Sequence, residues 1–355
     1  MTKVIVGMSG GVDSAVAAYL LKQQGMEVIG VTLRVWGSDE DGDSRCCEID
    51  EARRICEILD IKYHPHNCTS LFKENVVNPF VDAYLEGLTP NPCIECNRYV
   101  KWAKLMELAD IFGADYVATG HYAYIDKLPN GRYAVRKASH IGKDQTYMLY
   151  KLTQEQLART LMPLGKYTKD EVRKIAEEAG LPCAHKAESQ EICFVTEGRY
   201  TDFISEHTDR TLPGEGNFVD MNGNVLGKHK GIHQYTVGQR KGLGIALGVP
   251  AFVVKICPEN NTVVLGTEDD ILVDTFCCRN VNFQSIPEPA EGEKIRCFAK
   301  ARYHQTERPA TVECLGGGKV RIVLDEPVKG VSPGQSSVFY DENGCVVGGG
   351  IIVRD

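Results

Sequence analysis

The first part of the chain constrains the fold more than any other segment. Residues 4–6 are apolar, residues 10–11 are both glycine, and from Val16 onward apolar residues recur at helical spacing. This order predicts a buried strand, a tight turn and a helix, because adjacent glycines let the backbone turn sharply and approach a ligand. The free amides at the start of that helix and the hydroxyls of Ser9 and Ser14 are suited to phosphate groups. We therefore predict a nucleotide-binding loop at a strand-to-helix junction.

The residues of this loop exclude two common nucleotide-binding motifs. The loop lacks the Gly-Lys-Ser/Thr ending of a Walker loop, and its glycines do not follow the Gly-x-Gly-x-x-Gly spacing of dinucleotide-binding folds. The stretch Ser-Gly-Gly-Val-Asp-Ser at residues 9–14 resembles the PP-loop of N-type ATP pyrophosphatases, which attach AMP to a substrate oxygen and release pyrophosphate. An ordinary glycine-rich turn is the alternative interpretation.

Composition is that of a globular protein with more than one domain. The 355 residues favour two or three domains, and 43% hydrophobic with 25% charged residues is ordinary for this class. No apolar run approaches the roughly 20 residues that span a bilayer, so we expect no membrane association. Met1 leads directly into a predicted strand without a signal peptide, and 14 cysteines without a secretory signal favour a reducing, cytoplasmic location.

The pattern of the chain changes near residue 205. Up to that point short apolar strands alternate with helical segments, which predicts a doubly wound α/β domain with a parallel sheet and a helical extension over residues 1–205. One of its helices is expected to run from a cap at Thr168 to Gly180. From residue 206 glycines become frequent, so residues 206–277 are predicted as a small β-rich domain. Apolar runs in residues 278–355 predict a C-terminal β-barrel of five or six strands.

Basic residues cluster near the end of a chain whose net charge of −8 argues mildly against general nucleic-acid binding. Between residues 294 and 308 the one acidic residue is Glu307, and the basic residues with their interleaved aromatic neighbours are Lys294, Arg296, Phe298, Lys300, Arg302, Tyr303, His304 and Arg308. Such a strip suits a phosphate backbone. The alternative is a solvated strand face of a small barrel.

A second chemical feature is the two-proline loop at residues 88–98, which carries Cys93 and Cys96 ahead of a helix predicted to begin near Arg98. A cysteine just before a helix N-terminus and close to an arginine is stabilised as a thiolate, so Cys96 is the candidate nucleophile. Three alternatives stay open: a buried small residue, half of a zinc site, and a thioredoxin-like pair. Zinc is disfavoured because no second Cys-x-x-Cys is present, and the thioredoxin pair is disfavoured by the PP-loop.

A third segment, residues 187–195, carries Cys193 in a polar run. Taken alone this cysteine indicates little. The remaining cysteines, including the adjacent pairs at 46–47 and 277–278, form no motif, and we interpret them as packing residues.

Several segments, in this order, resemble the bacterial tRNA-specific 2-thiouridylases of the MnmA family, and the resemblance covers essentially the whole chain. They are residues 7–14, 89–92 with 96–97, 118–122, 143–147, 189–195, 231–244, 301–303 and 332–335. The resemblance implies that sulfur replaces the C2 oxygen of the tRNA wobble uridine, with ATP and Mg²⁺ as cofactors. The sulfur is expected as a cysteine persulfide supplied by a sulfur-relay protein or a cysteine desulfurase.

The same resemblance implies roles for individual residues. Cys193 matches the cysteine that carries the persulfide, and Cys96 matches the cysteine that attacks it, releasing sulfide or forming a transient disulfide. ATP contacts are expected at Gly7, Met8, Ser9, Gly10, Gly11, Val12, Asp13, Ser14, Leu33 and Gly120. Contacts to tRNA, including the target base turned out of its stack, are expected at Asn91, Pro92, Cys93, His121, Lys143, Asp144, Gln145, Arg302, Tyr303 and Gln335.

Position 93 departs from many relatives, which have Asp where this chain has Cys93. A thiol does not replace a carboxylate as a base or as an orienting group for Cys96. Cys93, Cys96 and Cys193 are also three soft ligands, so a [4Fe-4S] cluster with one open iron is a further hypothesis.

Two other functional classes stay open on the sequence. A PP-loop ligase or amidotransferase that adenylates a small molecule would need no cysteine pair. An RNA-binding or sulfur-carrier protein with an inactive ATP loop would release no pyrophosphate in response to tRNA.

Overall fold

A parallel five-stranded sheet forms the centre of the N-terminal domain in the computed structural model, which describes residues 1–37, 49–186, 192–195, 199–245 and 248–354. The strands of this part are β1 (Lys3–Gly7), β2 (Glu27–Arg34), β3 (Lys62–Asn67), β4 (Tyr116–Ala118), β5 (Ala123–Lys127), β6 (Tyr133–Lys137) and β7 (Thr160–Leu161). The order in the sheet is β3-β2-β1-β4-β7, while β5 and β6 form a separate antiparallel hairpin.

Helices pack on both faces of this sheet, which confirms the predicted α/β class. The α-helices of the described residues are α1 (Val12–Gln23), α2 (Ile49–Ile58), α3 (Thr69–Phe72), α4 (Asn78–Leu85), α5 (Pro92–Glu95), α6 (Ala103–Phe112), α7 (Gln154–Ala158), α8 (Lys169–Glu178) and α9 (Tyr200–Glu206). Ile5 of β1 packs with α4 and α6 on one face, and its neighbours Val4 and Val6 pack with α1 and α8 on the other. Within the described ranges, no helix has the length and apolar content needed to cross a membrane.

Helix α8 begins and ends where its capping residues predict. Thr168 Oγ1 accepts a hydrogen bond from the Glu171 amide (3.1 Å), and Glu171 Oε2 accepts one from the Thr168 amide (2.7 Å). Gly180, with φ of +67°, follows the helix in the left-handed conformation that favours glycine. The reciprocal cap satisfies two amides that the first turn leaves free.

The helix predicted to begin near Arg98 begins instead at Pro92. Asn91 caps it, since its Oδ1 accepts a hydrogen bond from the Cys93 amide (3.2 Å), and proline fits the first helical position because no amide is needed there. Helix α5 then continues through a π-helical segment, Cys96–Trp102, into α6. Cys96 therefore lies inside a helix, and the prediction that it precedes the helix N-terminus is wrong.

The second part of the chain is a small β-sheet that follows α9. Its strands are β8 (Gly216–Val219), β9 (Val225–His229), β10 (Phe252–Cys257) and β11 (Thr262–Gly266), in the order β10-β11-β8-β9. Phe218, Val253 and Val263 are fully buried and form the centre of its core.

The third part is a closed six-stranded β-barrel, as predicted. Its strands are β12 (Leu272–Phe283), β13 (Lys294–Lys300), β14 (Arg308–Gly316), β15 (Lys319–Lys329), β16 (Ser336–Tyr340) and β17 (Val346–Ile352), in the order β12-β15-β14-β13-β16-β17. The predicted division between residues 277 and 278 falls inside β12, and the division of the chain into three domains stays a prediction.

A buried amide, Gln284, fixes the barrel to the N-terminal domain. Its Nε2 donates to the carbonyl oxygens of Leu149 and Tyr150, both at 3.0 Å, and its Oε1 accepts from the Val135 amide at 3.1 Å. The guanidinium of Arg132 donates in turn to the carbonyl oxygens of Phe283 and Gln284, both at 2.8 Å. Because buried backbone groups need such partners, these bonds set the position of the barrel.

Candidate functional site

The predicted nucleotide loop joins β1 to α1 at the carboxyl edge of the sheet. Ser14 Oγ organises this loop, since it donates to the Gly11 carbonyl oxygen (3.0 Å), accepts from the Ser9 amide (3.1 Å) and lies 3.3 Å from Ser9 Oγ. Gly10 has φ of +72°, which a side chain would disfavour. The loop therefore leads directly into the amides and positive dipole end of α1, an arrangement that suits phosphate groups.

The strands beside β1 bring two more predicted ATP residues to this loop. Leu33 is buried near the end of β2, and Gly120 follows β4. A Cβ atom at Gly120 would lie 2.7 Å from the Asp13 carbonyl carbon and 2.7 Å from the Ser14 amide nitrogen, so only glycine fits there. The other predicted ATP residues lie in β1, the loop or the first turn of α1: Gly7, Met8, Val12 and Asp13.

Lys169 is a residue of this site that the sequence analysis missed. Its Nζ lies 2.8 Å from both carboxylate oxygens of Asp13, and the Tyr122 hydroxyl donates to Asp13 Oδ1 at 2.7 Å. Only 12% of the Lys169 side chain is exposed, so the ion pair is partly shielded from water. A lysine at the first position of a helix is disfavoured by the helix dipole. This unfavourable position is the sequence feature that could have indicated a negatively charged partner for Lys169.

Cys96 is buried, and its thiol is not the stabilised thiolate that the sequence led us to expect. Desolvation raises its pKa to about 12, and the charge of Lys101 offsets this only in part. Arg98, the expected stabilising neighbour, instead donates to Gln156 Oε1 at 2.6 Å. The expectation is wrong because Cys96 lies inside the helix and faces the core, where the charged form loses its hydration.

The structure brings Cys193 to the core cluster that contains Cys96. Cys193 is half-buried and packs against the core cluster that contains Cys96. A charge on Cys193 also raises the pKa of Cys93 and of Cys96, which places the three sulfurs within electrostatic reach of one another. Of the predicted segment around Cys193, residues 187–191 lie outside the described residues, as does the cysteine pair at 46–47.

Cys93 lies at the start of α5 and is exposed as a residue. Neighbouring groups nevertheless desolvate its thiol, which raises the pKa of that thiol. In the part of the chain that the structure describes, no group of three or more His, Cys, Asp or Glu side chains is arranged to hold a metal ion. A [4Fe-4S] cluster on Cys93, Cys96 and Cys193 stays a prediction, and no reaction step is assigned to one.

The barrel holds the loop that precedes α5. Gln335, a predicted tRNA contact, donates from Nε2 to the Thr89 carbonyl oxygen at 2.9 Å. Ser332 Oγ donates to Thr89 Oγ1 at 3.2 Å, and the Thr89 amide donates to the Pro333 carbonyl oxygen at 2.9 Å. The side chain of Gln335 thus positions the loop that carries the predicted base contacts Asn91 and Pro92.

His121 lies beside the π-helical segment that follows α5. Its ring is 5.5 Å from that of Trp102, and its Nδ1 is 2.8 Å from Thr119 Oγ1. Burial, with a smaller contribution from Lys101, lowers its pKa to about 3. The imidazole is therefore neutral at physiological pH and able to bind a substrate group by hydrogen bonding rather than by charge.

The predicted tRNA segment at residues 143–145 packs between the N-terminal domain and the barrel. Lys143 and Gln145 are half-buried, and Gln145 Oε1 accepts from the Tyr122 amide at 2.9 Å. Asp144 is buried, and burial raises the pKa of its carboxyl group. The Tyr303 hydroxyl donates to the Asp144 carbonyl oxygen at 3.1 Å, so two of the predicted tRNA residues bind each other across the domain boundary.

The predicted basic strip does not form one continuous surface. Arg296 is paired with Asp325, and Arg308 lies 3.4 Å from Glu326. Lys300 is half-buried, with Nζ 5.6 Å from the ring centroids of both Tyr147 and Tyr303. Carboxylates of β15 therefore pair with the outward arginines Arg296 and Arg308, while Lys300 lies against Tyr147 of the N-terminal part.

Three family models match the chain one after another: tRNA methyl transferase HUP domain over residues 2–197, tRNA methyl transferase PRC-barrel domain over 201–267, and Aminomethyltransferase beta-barrel domain over 273–352. The curated relative tRNA-specific 2-thiouridylase MnmA of Lachnoclostridium phytofermentans is 51% identical over 363 residues, which is 100% of each chain. The chain belongs to the tRNA-specific 2-thiouridylase family.

Other members of this family match almost as completely. The tRNA-specific 2-thiouridylase MnmA of Clostridioides difficile is 49% identical over 99% of this chain and 98% of its own. Among solved structures, the U34-tRNA thiolase NcsA of Methanococcus maripaludis with its [4Fe-4S] cluster is 23% identical, with a TM-score of 0.35 over 59% of this chain and 64% of that one. A likeness at that distance gives no information on the cofactors of this 2-thiouridylase.

Replacing Gly120 with alanine should disrupt the nucleotide loop of this 2-thiouridylase. The new Cβ would push on the Asp13–Ser14 backbone, so we expect ATP to bind at least about tenfold more weakly, or about 1.4 kcal/mol, by isothermal titration calorimetry. Gly214→Ala is the matched control, because a Cβ there has no heavy atom within 4 Å. Equal ATP affinity of the two variants would contradict the assignment of this loop.

Proposed function

We propose that this protein transfers sulfur to C2 of the wobble uridine of tRNA in an ATP-dependent reaction. ATP first adenylates the C2 oxygen, and sulfur from a cysteine persulfide then replaces that oxygen. The observation that carries the proposal is the proximity of two thiols, Cys96 and Cys193, in a domain that also has a PP-loop-type nucleotide loop. The full-length relatives named tRNA-specific 2-thiouridylases support it.

The first step activates a poor leaving group. ATP enters as its Mg²⁺ complex, and the uridine C2 oxygen attacks the α-phosphorus. A new phosphorus–oxygen bond forms, the bond between the α-phosphorus and the bridging oxygen breaks, pyrophosphate leaves, and the N3 proton passes to water. The amides at the start of α1 stabilise the charge of the departing pyrophosphate. Lys169 and Tyr122 hold Asp13, and with it the backbone of the loop, in place.

The second step uses both thiols. A donor protein first charges Cys193 with a sulfane sulfur. The thiolate of Cys96 attacks the Cys193 sulfur, the persulfide bond breaks, and hydrosulfide is released. Hydrosulfide then attacks C2 of the adenylated uridine and expels AMP. The products are 2-thiouridine, AMP, pyrophosphate and a Cys96–Cys193 disulfide, which a dithiol reductant must reduce before the next turnover.

Burial of Cys96 determines when the second step can begin. With a pKa of about 12, the thiol is almost entirely protonated at neutral pH, and a protonated thiol is a poor nucleophile. We propose that the persulfide on Cys193 is thereby preserved until tRNA changes the surroundings of Cys96. The base contacts proposed at residues 91–93 lie in the same helix as Cys96, so a bound base reaches that helix directly.

Several supporting assignments belong to the same proposal. We propose that His121, Lys143, Gln145, Arg302 and Tyr303 contribute to the tRNA surface, either directly or by positioning it, and that a sulfur-relay protein or a cysteine desulfurase supplies the sulfur. Cysteines without a disulfide among the described residues fit the reducing cytoplasm as the site of the reaction.

Two other functions compete with thiolation. Two of the family models carry descriptions that mention tRNA methyl transfer, but the full-length relatives are named for thiolation and methyl transfer has no need of two adjacent thiols. A PP-loop ligase or amidotransferase acting on a small molecule remains the second candidate. It would tolerate the loss of either Cys96 or Cys193.

Nucleoside analysis tests the proposed function. The protein is incubated with unmodified tRNA, ATP, Mg²⁺, dithiothreitol, L-cysteine and a cysteine desulfurase, and the tRNA is digested for mass spectrometry. We expect 2-thiouridine from the native protein and from Cys257→Ala, a matched control in the central domain. Cys96→Ala and Cys193→Ala should each lose at least about 100-fold in rate, because each removes a reacting atom.

Pyrophosphate measured in the same incubations separates the candidates. Thiolation requires one pyrophosphate for each 2-thiouridine. Pyrophosphate release that does not depend on tRNA and is unchanged in both cysteine variants would contradict thiolation and favour the ligase.

Persulfide discharge should depend steeply on pH in the absence of tRNA. Because the pKa of Cys96 is about 12, raising the pH from 7 to 9 keeps the thiolate fraction far below one half. That fraction therefore grows about tenfold per pH unit. We expect the rate at which persulfide-loaded Cys193 loses its sulfur to rise in the same proportion, measured by alkylation and mass spectrometry. Cys96→Ala should remove this dependence. A discharge rate that stops rising below pH 8.5 would contradict the prediction, because it would mean that the pKa of the Cys96 thiol lies below that pH.

A further inference from the structure

Asn97, the residue after Cys96, has a buried acceptor without a donor. Only 2% of the residue is exposed, and its Nδ2 donates to the Met148 carbonyl oxygen at 3.0 Å. That bond fixes the orientation of the amide group, because a carbonyl oxygen accepts only from its nitrogen side. Asn97 Oδ1 is then buried without a hydrogen-bond donor among the described residues. A buried acceptor of this kind is unfavourable unless a ligand donates to it.

Lys101 lies on the same face of this helix. Residues four apart on a helix are neighbours, so the side chains of Asn97 and Lys101 project in nearly the same direction. Both belong to the π-helical segment that begins at Cys96. In an α-helix the fifth residue after Cys96 would lie about 140° around the axis, whereas a π-helical turn closes on the fifth residue. The π-helix therefore brings Lys101 back toward Cys96.

The half-buried ammonium group of Lys101 is a positive charge among thiols. Burial raises the pKa of Cys93 and of Cys96, and the charge of Lys101 offsets part of both effects. Cys68 and Cys193 act on Cys96 in the opposite direction to Lys101. The cation is therefore placed where sulfur anions form during sulfur transfer.

The proposed sulfur transfer releases an ion whose chemistry matches these two groups. When the Cys96 thiolate attacks the Cys193 sulfur, the persulfide bond breaks and its electron pair stays on the outer sulfur, which leaves as hydrosulfide with its proton. This ion is negatively charged and donates one hydrogen bond. A phosphodiester has no proton to donate, and an uncharged uridine would not use the cation. A cation beside a lone acceptor therefore favours hydrosulfide.

We propose that Asn97 and Lys101 form a sulfide site, which retains the hydrosulfide ion between its release from Cys193 and its attack on C2 of the uridine. This inference rests on the proposed function for the source of the ion. Asn97 Oδ1 accepts the hydrogen bond from the S–H group, and the Lys101 ammonium donates to the sulfur and balances its charge. When sulfur bonds to C2, the bond from C2 to oxygen breaks, AMP leaves with its electron pair, and the sulfur proton passes to water.

The sulfide site gives the reaction its coupling. Hydrosulfide forms within the apolar cluster that contains Cys96, and an anion without a counterion in such surroundings would return to water. Lys101 supplies the counterion on the same helix as the attacking thiol. The sulfur therefore stays beside the adenylated uridine instead of entering solution.

The fate of the sulfur tests this proposal. Cys193 is loaded with a radioactive persulfide, and a single turnover is run with unmodified tRNA, ATP and Mg²⁺ in the absence of reductant. The label is counted in the tRNA and as free sulfide in an ultrafiltrate. Native protein should place nearly all of the released label in tRNA. Lys101→Gln should lower the ratio of labelled tRNA to free sulfide about tenfold, which is the effect of one charge-assisted hydrogen bond.

This ratio is set after the sulfur has left Cys193, so an effect of Lys101 on the ionisation of Cys96 does not enter it. Lys101→Arg keeps the charge and should recover most of the ratio. Asn97→Leu should lower the ratio with the charge in place, and thermal unfolding checks that this variant folds. Lys104→Gln is the matched control, since Lys104 lies one turn further along the helix and is paired with Glu107 at 2.6 Å. Equal ratios in native protein and Lys101→Gln, or an equal fall in Lys104→Gln, would overturn the proposal.

A heavier analogue locates the ion without the reaction. Crystals of the native protein are soaked anaerobically in sodium hydroselenide, and anomalous maps should show selenium within hydrogen-bond distance of Asn97 Oδ1 and Lys101 Nζ. Crystals of Lys101→Gln should lack this peak. Native crystals without the peak would overturn the sulfide site even if the protein thiolates tRNA. If the peak is present in a protein that makes no 2-thiouridine, the proposed reaction fails and the sulfide site stands.

Discussion

Desolvation of the Cys96 thiol is the constraint on which the rest of this structure depends. The helix that carries Cys96 packs into the same core cluster as Ile5 and Phe80, so the thiol faces apolar neighbours and its pKa rises to about 12. Cys193 reaches that cluster from a separate segment. Cys96 and Cys193 therefore belong to one core cluster, and the Cys96 thiol is protonated there at neutral pH. In the proposed mechanism, the protonated state of the Cys96 thiol separates persulfide storage from persulfide release.

The two β-rich parts give this site its shape in different ways. The barrel is hydrogen-bonded to the N-terminal part through the buried Gln284, and Gln335 extends from it to hold the loop at Thr89. The central sheet meets the barrel around Arg302, whose bond to Val237 leaves an open cleft beside it. The barrel therefore fixes the loop that leads into the cysteine-bearing helix, and the central sheet forms one side of the cleft beside Arg302.

Much of the fold could be predicted because it follows from patterns among residues that are close in the sequence. The loop at residues 9–14, the cap at Thr168 and the barrel strands each depend on neighbours a few residues away. The start of α5 was misplaced because two prolines were interpreted as loop residues, although the second one fits a first helical turn capped by Asn91. That error also produced the wrong expectation of a Cys96 thiolate.

Contacts between distant residues could not be predicted in the same way. Lys169 and Asp13 are 156 residues apart in the chain, and nothing in either local pattern specifies the other. The same holds for Tyr303 with Asp144 and for Gln335 with Thr89, where side chains of the C-terminal part contact the N-terminal part. Family resemblance indicated that residues such as Gln335 matter, but only the three-dimensional contacts show that Gln335 positions a loop.

Trapping the disulfide tests the two-thiol mechanism most directly. Protein loaded with persulfide is mixed with unmodified tRNA and ATP in the absence of reductant, then alkylated, digested and mapped by mass spectrometry. We expect a disulfide between Cys96 and Cys193 that forms as fast as 2-thiouridine, with one modified tRNA per protein. Formation of 2-thiouridine while both thiols stay free, or with a disulfide between other cysteines, would contradict the mechanism.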